Sequence, residues 1–245
     1  MGTHPREGEG ISIPSFLSQC FLISVVFYLW SSPVIQPVKI MSVLFHEMSH
    51  GLMALATGGK VLNIVITSDE GGACETEGGI ALLIVGSGYL GSMMFGGLIL
   101  YLSKFRGGLP VVYTLLTLLL GAAIFTVLHE PYSRTFAMGL AGAFIFAGLL
   151  APAVLGALFL RVLGTVNCLY SLFDIYWDIL ASNRPGYTAE NDAVAFSTIT
   201  GIPPEAVGLL WLGASAFFFL FILKMMVRGG PEPVPQEAKA ASARA

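Results

Sequence analysis

The sequence predicts an all-α polytopic membrane protein, a bundle of about six to seven transmembrane helices with a small β-hairpin between the second and third spans. Three observations predict it. Of 245 residues, 55% are hydrophobic and only 11% charged, whereas a soluble domain carries about 25% charged residues; the mean hydropathy is +0.79. The apolar residues gather into runs close to the roughly 20 residues that a spanning helix needs, divided by Pro, Gly and polar turns. One short stretch, 60–67, departs from the helical pattern with Val61, Ile64, Val65 and Ile66, and glycine pairs stand on either side of it.

Taken in order, residues 1–14 form a polar N-terminal segment and residues 15–228 a single membrane-embedded domain. Residues 229–245 form a Pro- and Ala-rich tail whose composition predicts disorder. No small-residue cleavage site follows the first apolar run, 15–32, which is read as a retained anchor. Pro33 and Pro37 break the chain, and Pro37 suits the first turn of a second helix that ends at Gly58-Gly59. Residues 60–67 read as a strand, Gly71-Gly72 as a turn and 73–77 as a returning strand. The third span, 80–102, carries Gly88, Ser92 and Gly96 on one stripe, predicted to pack against the second helix. A fourth span covers 109–128. The apolar stretch 135–180 is long enough for two spans, divided at Pro152 or near Arg161 and Gly164, and a polar loop, 181–204, leads to the last span at 206–227.

Charge excludes some roles. A formal net charge of −3 gives no basis for nucleic-acid binding, and three scattered cysteines have neither ligand spacing nor an even count for a disulfide framework. Lys104, Arg106, Lys224 and Arg228 fall on one side of the predicted bundle and Lys60, Arg134 and Arg184 on the other, so positive charge leaves the orientation open.

The chemistry concentrates on His46-Glu47-Met48-Ser49-His50 within the second helix. Imidazoles four residues apart lie one above the other on a helical face, and the adjacent glutamate reaches the same side; such a face suits zinc and a general base. A catalytic zinc takes three protein ligands and leaves a position for water. The third is sought among Asn167, Ser171, Asp174 and Asp178, which form one polar stripe on a later helix, because intramembrane carboxylates face a cavity, a partner or an ion. Asp174 lies deeper than Asp178, and either fits. Asn167 is a candidate donor to a substrate carbonyl or oxyanion. Asp192, in the polar loop, is read as a helix cap.

The flanking residues carry a resemblance. Phe45-His46-Glu47-Met48-Ser49-His50-Gly51, Thr57-Gly58-Gly59-Lys60-Val61, Gly78-Gly79, Gly88-Tyr89-Leu90-Gly91-Ser92, Leu169-Tyr170-Ser171-Leu172-Phe173-Asp174, Asn191-Asp192-Ala193 and Thr200-Gly201-Ile202-Pro203 together resemble the short, B-type branch of the site-2 protease family of intramembrane zinc metalloproteases. That resemblance implies zinc held by His46, His50 and Asp174, with Glu47 activating water, in an endopeptidase acting on transmembrane protein substrates within the lipid bilayer. It also implies that a substrate segment adds a strand to a membrane-associated sheet, for which 60–67 is the candidate edge. The chain departs from the better-studied branches at Ile175, which follows Asp174 where they have glycine, and in lacking a proline after Asn167. Two other classes compete: a catalytically silent membrane-protein binder, which has no use for Glu47, and a metal-ion transporter, which calls for polar residues on more spans than these two.

Overall fold

The computed structural model describes residues 12–181 and 191–228; the expected N-terminal segment up to residue 11 and the C-terminal tail lie outside the described residues. Helix α1 (Ile13–Leu29) is followed by α2 (Gln36–Ala56), a two-stranded antiparallel sheet of β1 (Lys60–Ile66) and β2 (Gly72–Glu77), and then α3 (Ala81–Leu102), α4 (Leu109–Thr126), α5 (Pro131–Leu149) and α6 (Ala153–Asp174). A π-helical turn, Ile175–Leu180, continues α6, and α7 (Asp192–Thr200) and α8 (Pro204–Val227) complete the chain. Among the described residues, four helical segments are long and apolar enough to cross a membrane: Ala81–Leu102, Arg106–Thr126, Ala153–Leu180 and Pro204–Val227. The expected count of six to seven is not reached by this measure. α1 has only 17 residues, and α2 carries Gln36, Lys39, His46, Glu47 and His50 in its 21.

α3 is the central element, packed against α2 on one side and α6 and α8 on others. The stripe expected to face α2 is shared between two neighbours. Gly88 lies against His46 and His50 of α2, whereas Gly96 lies against Asn167 and Cys168 of α6, because an i, i+4 row runs oblique to the helix axis. Asn167 Nδ2 donates to the Ser92 carbonyl at 2.6 Å, and the Ser92 and Ser171 hydroxyls pair at 2.8 Å. Lipid tails are as apolar as leucine, so such small-residue contacts and interhelical hydrogen bonds, about 1 kcal/mol or less each, hold helices together where hydrophobic burial supplies little. The break after α5 falls at Pro152, the N-cap of α6, and Arg161 lies inside α6 with Nη2 donating to Gln19 Oε1 of α1 at 3.3 Å. The predicted break near Arg161 and Gly164 is therefore absent; Gly164 instead serves close packing, since a Cβ there would fall 2.5 Å from the Leu100 backbone nitrogen.

α2 ends as its sequence dictates. Gly58 takes the left-handed conformation, φ 85°. The Gly59 N–H then reaches the Ala54 carbonyl at 2.8 Å and the Gly58 N–H the Leu55 carbonyl at 3.2 Å, the paired bonds of a Schellman ending. The chain then turns back along α2 as the hairpin. Its turn is at Thr67–Gly71, closed by Thr67 N–H to the Gly71 carbonyl at 2.9 Å, so Gly72, expected in the turn, is the first residue of β2. Lys39 of α2 meets Glu70 at the hairpin tip at 3.0 Å.

The outer edge of β1 is covered. Ile64 N–H donates to the Val127 carbonyl at 2.9 Å, Ile66 N–H donates to Ser133 Oγ at 2.9 Å, and that hydroxyl donates back to the Ile66 carbonyl at 3.2 Å. In an antiparallel pair, outward-pointing residues oppose outward-pointing residues. Ile64 pairs with Cys74 and Ile66 with Gly72, so the outward backbone groups of β2 belong to Gly72, Cys74 and, two further on, Thr76. The edge expected at 60–67 is thus already satisfied by the α4–α5 connection, and the edge left open among the described residues is that of β2.

Candidate metal centre

Pro37 in the first turn and an uninterrupted series of helix-compatible residues place His46 and His50 one turn apart on α2, their ring centroids 4.8 Å from each other. His50 Nδ1 lies 2.7 Å from the Ile84 carbonyl. A carbonyl can only accept, so Nδ1 carries a proton, and Nε2 is left facing the opposite side of the ring. Tyr89 sets its ring edge-on to His46 at 4.6 Å, with Trp211 behind it at 5.5 Å.

The carboxylate that meets these imidazoles is that of Asp192. Its Oδ2 lies 3.0 Å from His46 Nε2 and 3.1 Å from His50 Nε2, and His46, His50 and Asp192 are the group among the described residues whose donor atoms lie within 4.8 Å of one another. Burial opposes charge on Asp192, but hydrogen bonds with the two imidazoles and their charges outweigh it, holding its carboxyl below the usual carboxylate range.

These donors fit zinc. Tetrahedral ligands at about 2.1 Å stand roughly 3.4 Å apart, close to the separations here. Space for an ion also exists on the α3 side. A Cβ on Gly88 would clash with His46 Nε2 and lie 2.5 Å from His50 Nε2 and 2.6 Å from Asp192 Oδ2, so the absent side chain leaves a cradle common to all three donors. The hydrogen bond of His50 to Ile84 supplies the outer support typical of a metal-binding histidine; His46 Nδ1 is buried and has no such partner among the described residues.

Glu47 is buried on the hairpin side of α2, within electrostatic range of His46, His50 and Asp192. Its carboxylate rests against β2, because a Cβ on Gly72 would strike Glu47 Oε1 and lie 2.9 Å from its Cδ. Gly72→Ala therefore displaces either the strand or the carboxylate. A misplacement of about 1 Å costs an enzyme roughly 100-fold in rate, so Gly72→Ala is expected to lower any turnover that depends on Glu47 by about that factor while leaving metal affinity unchanged, with metal analysis and a turnover assay as the paired readouts. Cys74, two residues along β2, is not in the donor group of His46, His50 and Asp192; burial first, then the charges of Glu47 and Glu75, push its thiol up to about 12.

Asp174 and Asp178 are within electrostatic range of each other and stand outside the donor group, although Asp178 is also within electrostatic range of His46. Asn167 is fully buried against α3, where its Nδ2 donates to the Ser92 carbonyl and its Oδ1 has no partner among the described residues. Asp178 lies in the π-helical turn that continues α6. Asp192 is passed over when depth within a span is taken as the criterion, because a carboxylate can also reach the imidazoles from a short helix outside the spans. The signal was an Asn-Asp pair opening a helical stretch inside a polar loop. The cap is Asn191, whose Oδ1 accepts from Val194 N–H at 3.0 Å, and this leaves the Asp192 side chain free to face the imidazoles.

A model of the family described as peptidase M50B-like matches residues 19–222. No curated protein and no solved structure matches the chain.

Proposed function

The chain belongs to the peptidase M50B-like family, and from that membership and the geometry of the centre we propose that it is a zinc-dependent intramembrane endopeptidase cleaving membrane-spanning or membrane-associated proteins. The observation that carries this reading is the convergence of His46 Nε2, His50 Nε2 and Asp192 Oδ2 around the cradle beside Gly88, with Glu47 next to it.

His46, His50 and Asp192 hold the ion. Zinc, when bound, makes water acidic enough to act as a nucleophile near neutral pH and draws electron density from a scissile carbonyl. Glu47 takes the proton of the attacking water and passes it to the leaving amide nitrogen. The backbone groups of Gly72, Cys74 and Thr76 on the open edge of β2 receive an extended substrate segment, which presents its carbonyl beside Glu47 because Gly72 is both an edge residue and the neighbour of that carboxylate. A substrate helix must unwind to offer a carbonyl, so spans interrupted by Gly, Pro or Asn are the favoured substrates. Asp174 and Asp178 contribute polar groups near the centre without coordinating the ion.

The test is Glu47→Gln in protein purified in detergent or reconstituted in vesicles, assayed on a single-span protein with a glycine-interrupted helix. Loss of a general base lowers the rate about 10²–10⁴-fold. Cleavage is expected to fall by that factor with zinc still bound. Cleavage at the wild-type rate would sink the proposal, and an altered zinc flux across vesicles would favour a transporter instead.

A further inference from the structure

We propose that Asn191 is the positioning residue of the centre, a single amide that joins two helix ends and thereby sets where the Asp192 carboxylate stands. This inference rests on the reading of His46, His50 and Asp192 as a zinc site.

The observation is the double use of one side chain. Asn191 Oδ1 accepts the Val194 N–H at 3.0 Å and so caps α7. Its Nδ2 donates to the backbone carbonyl of Asp178 at 2.8 Å. Asp178 lies in the π-helical turn Ile175–Leu180, and the final carbonyls of a helix have no donor within it; Asn191 supplies one from the other side of residues 182–190. The next residue, Asp192, opens α7 and puts Oδ2 at 3.0 and 3.1 Å from the two imidazole Nε2 atoms.

Two of the three ligands share the rigid face of α2. The third arrives on a helix of only 9 residues, too short to fix its own position, so its placement depends on what ties that helix to the bundle. Ala193 is fully buried, among Tyr89, Ile175 and Ile179, and packing there supplies part of the tie. Apolar packing tolerates sliding, however, whereas the hydrogen bond from the Asn191 amide to the Asp178 carbonyl has a direction. Neither bond of Asn191 touches a ligand atom, and its effect on the metal passes through the backbone to Asp192. A serine at this position caps α7 equally well but has no N–H to reach the Asp178 carbonyl, and that separates the two functions.

The experiment measures zinc affinity by chelator competition, and the melting temperature of the zinc-free protein, for the full chain in detergent as wild type, Asn191→Ser, Asn191→Ala and His50→Ala. Outer groups bonded directly to metal ligands are worth about 10–100-fold in affinity, and Asn191, acting one step further through the backbone, is placed at the lower end of that range. Asn191→Ser is expected to bind zinc at least tenfold more weakly with the zinc-free melting temperature unchanged, and Asn191→Ala to fall at least as far. Wild-type affinity in Asn191→Ser while His50→Ala loses zinc overturns the inference alone. A zinc-free melting temperature that falls in step with affinity also overturns it, since the amide is then a structural tie. Undiminished zinc binding by His50→Ala instead overturns the zinc-site reading beneath it.

Discussion

Asp192→Ala is expected to empty the metal centre, whereas Asp174→Ala and Asp178→Ala leave zinc in place. Asp192 Oδ2 is the carboxylate oxygen that stands against both imidazole Nε2 atoms, at 3.0 and 3.1 Å, while Asp174 and Asp178 stand outside that donor group. Outer partners of zinc ligands are worth about 10–100-fold in affinity, so a direct ligand exceeds that range, and Asp192→Ala should lose at least about 100-fold. Asp192→Asn keeps the shape and the α7 cap while removing the charge, and is expected to lose zinc too, which excludes unfolding as the cause. Zinc content after dialysis against a chelator reads the result. Zinc kept by Asp192→Ala and lost from Asp174→Ala or Asp178→Ala would return the third ligand to the α6 stripe.

Gly88→Ala is expected to abolish metal binding although glycine has no side chain to coordinate with. The added methyl would occupy the position 2.5 Å from His50 Nε2 and 2.6 Å from Asp192 Oδ2, closer than carbon and these atoms approach without a bond. α3 carries Gly88 in regular helix, so alanine there suits the backbone and improves helix propensity by up to about 1 kcal/mol. The effect is therefore local and steric. Zinc affinity should fall by at least about 100-fold, as for a lost ligand, with helical content by circular dichroism unchanged. Gly86→Ala, on the same helix with only Phe196 side-chain atoms at 3.5 Å or more, is the control that should bind zinc normally. Normal zinc binding by Gly88→Ala would show that the ion's space lies elsewhere.

Much of this molecule is written in local pattern. The helix carrying His46, Glu47 and His50 is marked by Pro37 at its start and Gly58 at its end, and both boundaries are determined by backbone properties of single residues: the fixed φ of proline and the left-handed φ of glycine. The two-strand hairpin follows from β-branched residues between glycines. The pairing of two imidazoles with a glutamate follows from 3.6 residues per turn, which no tertiary contact is needed to establish.

The third carboxylate was not legible in that way. Asp174 and Asp178 look suited because a span makes a charge expensive, and the chain within a span can be counted. Asp192 sits 142 residues after His50 in a polar loop, and nothing local distinguishes a capping aspartate from a ligand. Only the return of α7 between α3 and α8 brings it to the imidazoles, and only the contacts of Val127 and Ser133 show that β1 is covered and β2 open. The helix of His46 to His50 is thus a property of neighbouring residues, whereas the identity of its third partner and the strand that faces Glu47 are properties of how distant segments pack. The physical reason is range: dihedral preference and side-chain periodicity act over a few residues, while a donor set is completed wherever the fold brings a carboxylate within about 3 Å of the imidazole nitrogens.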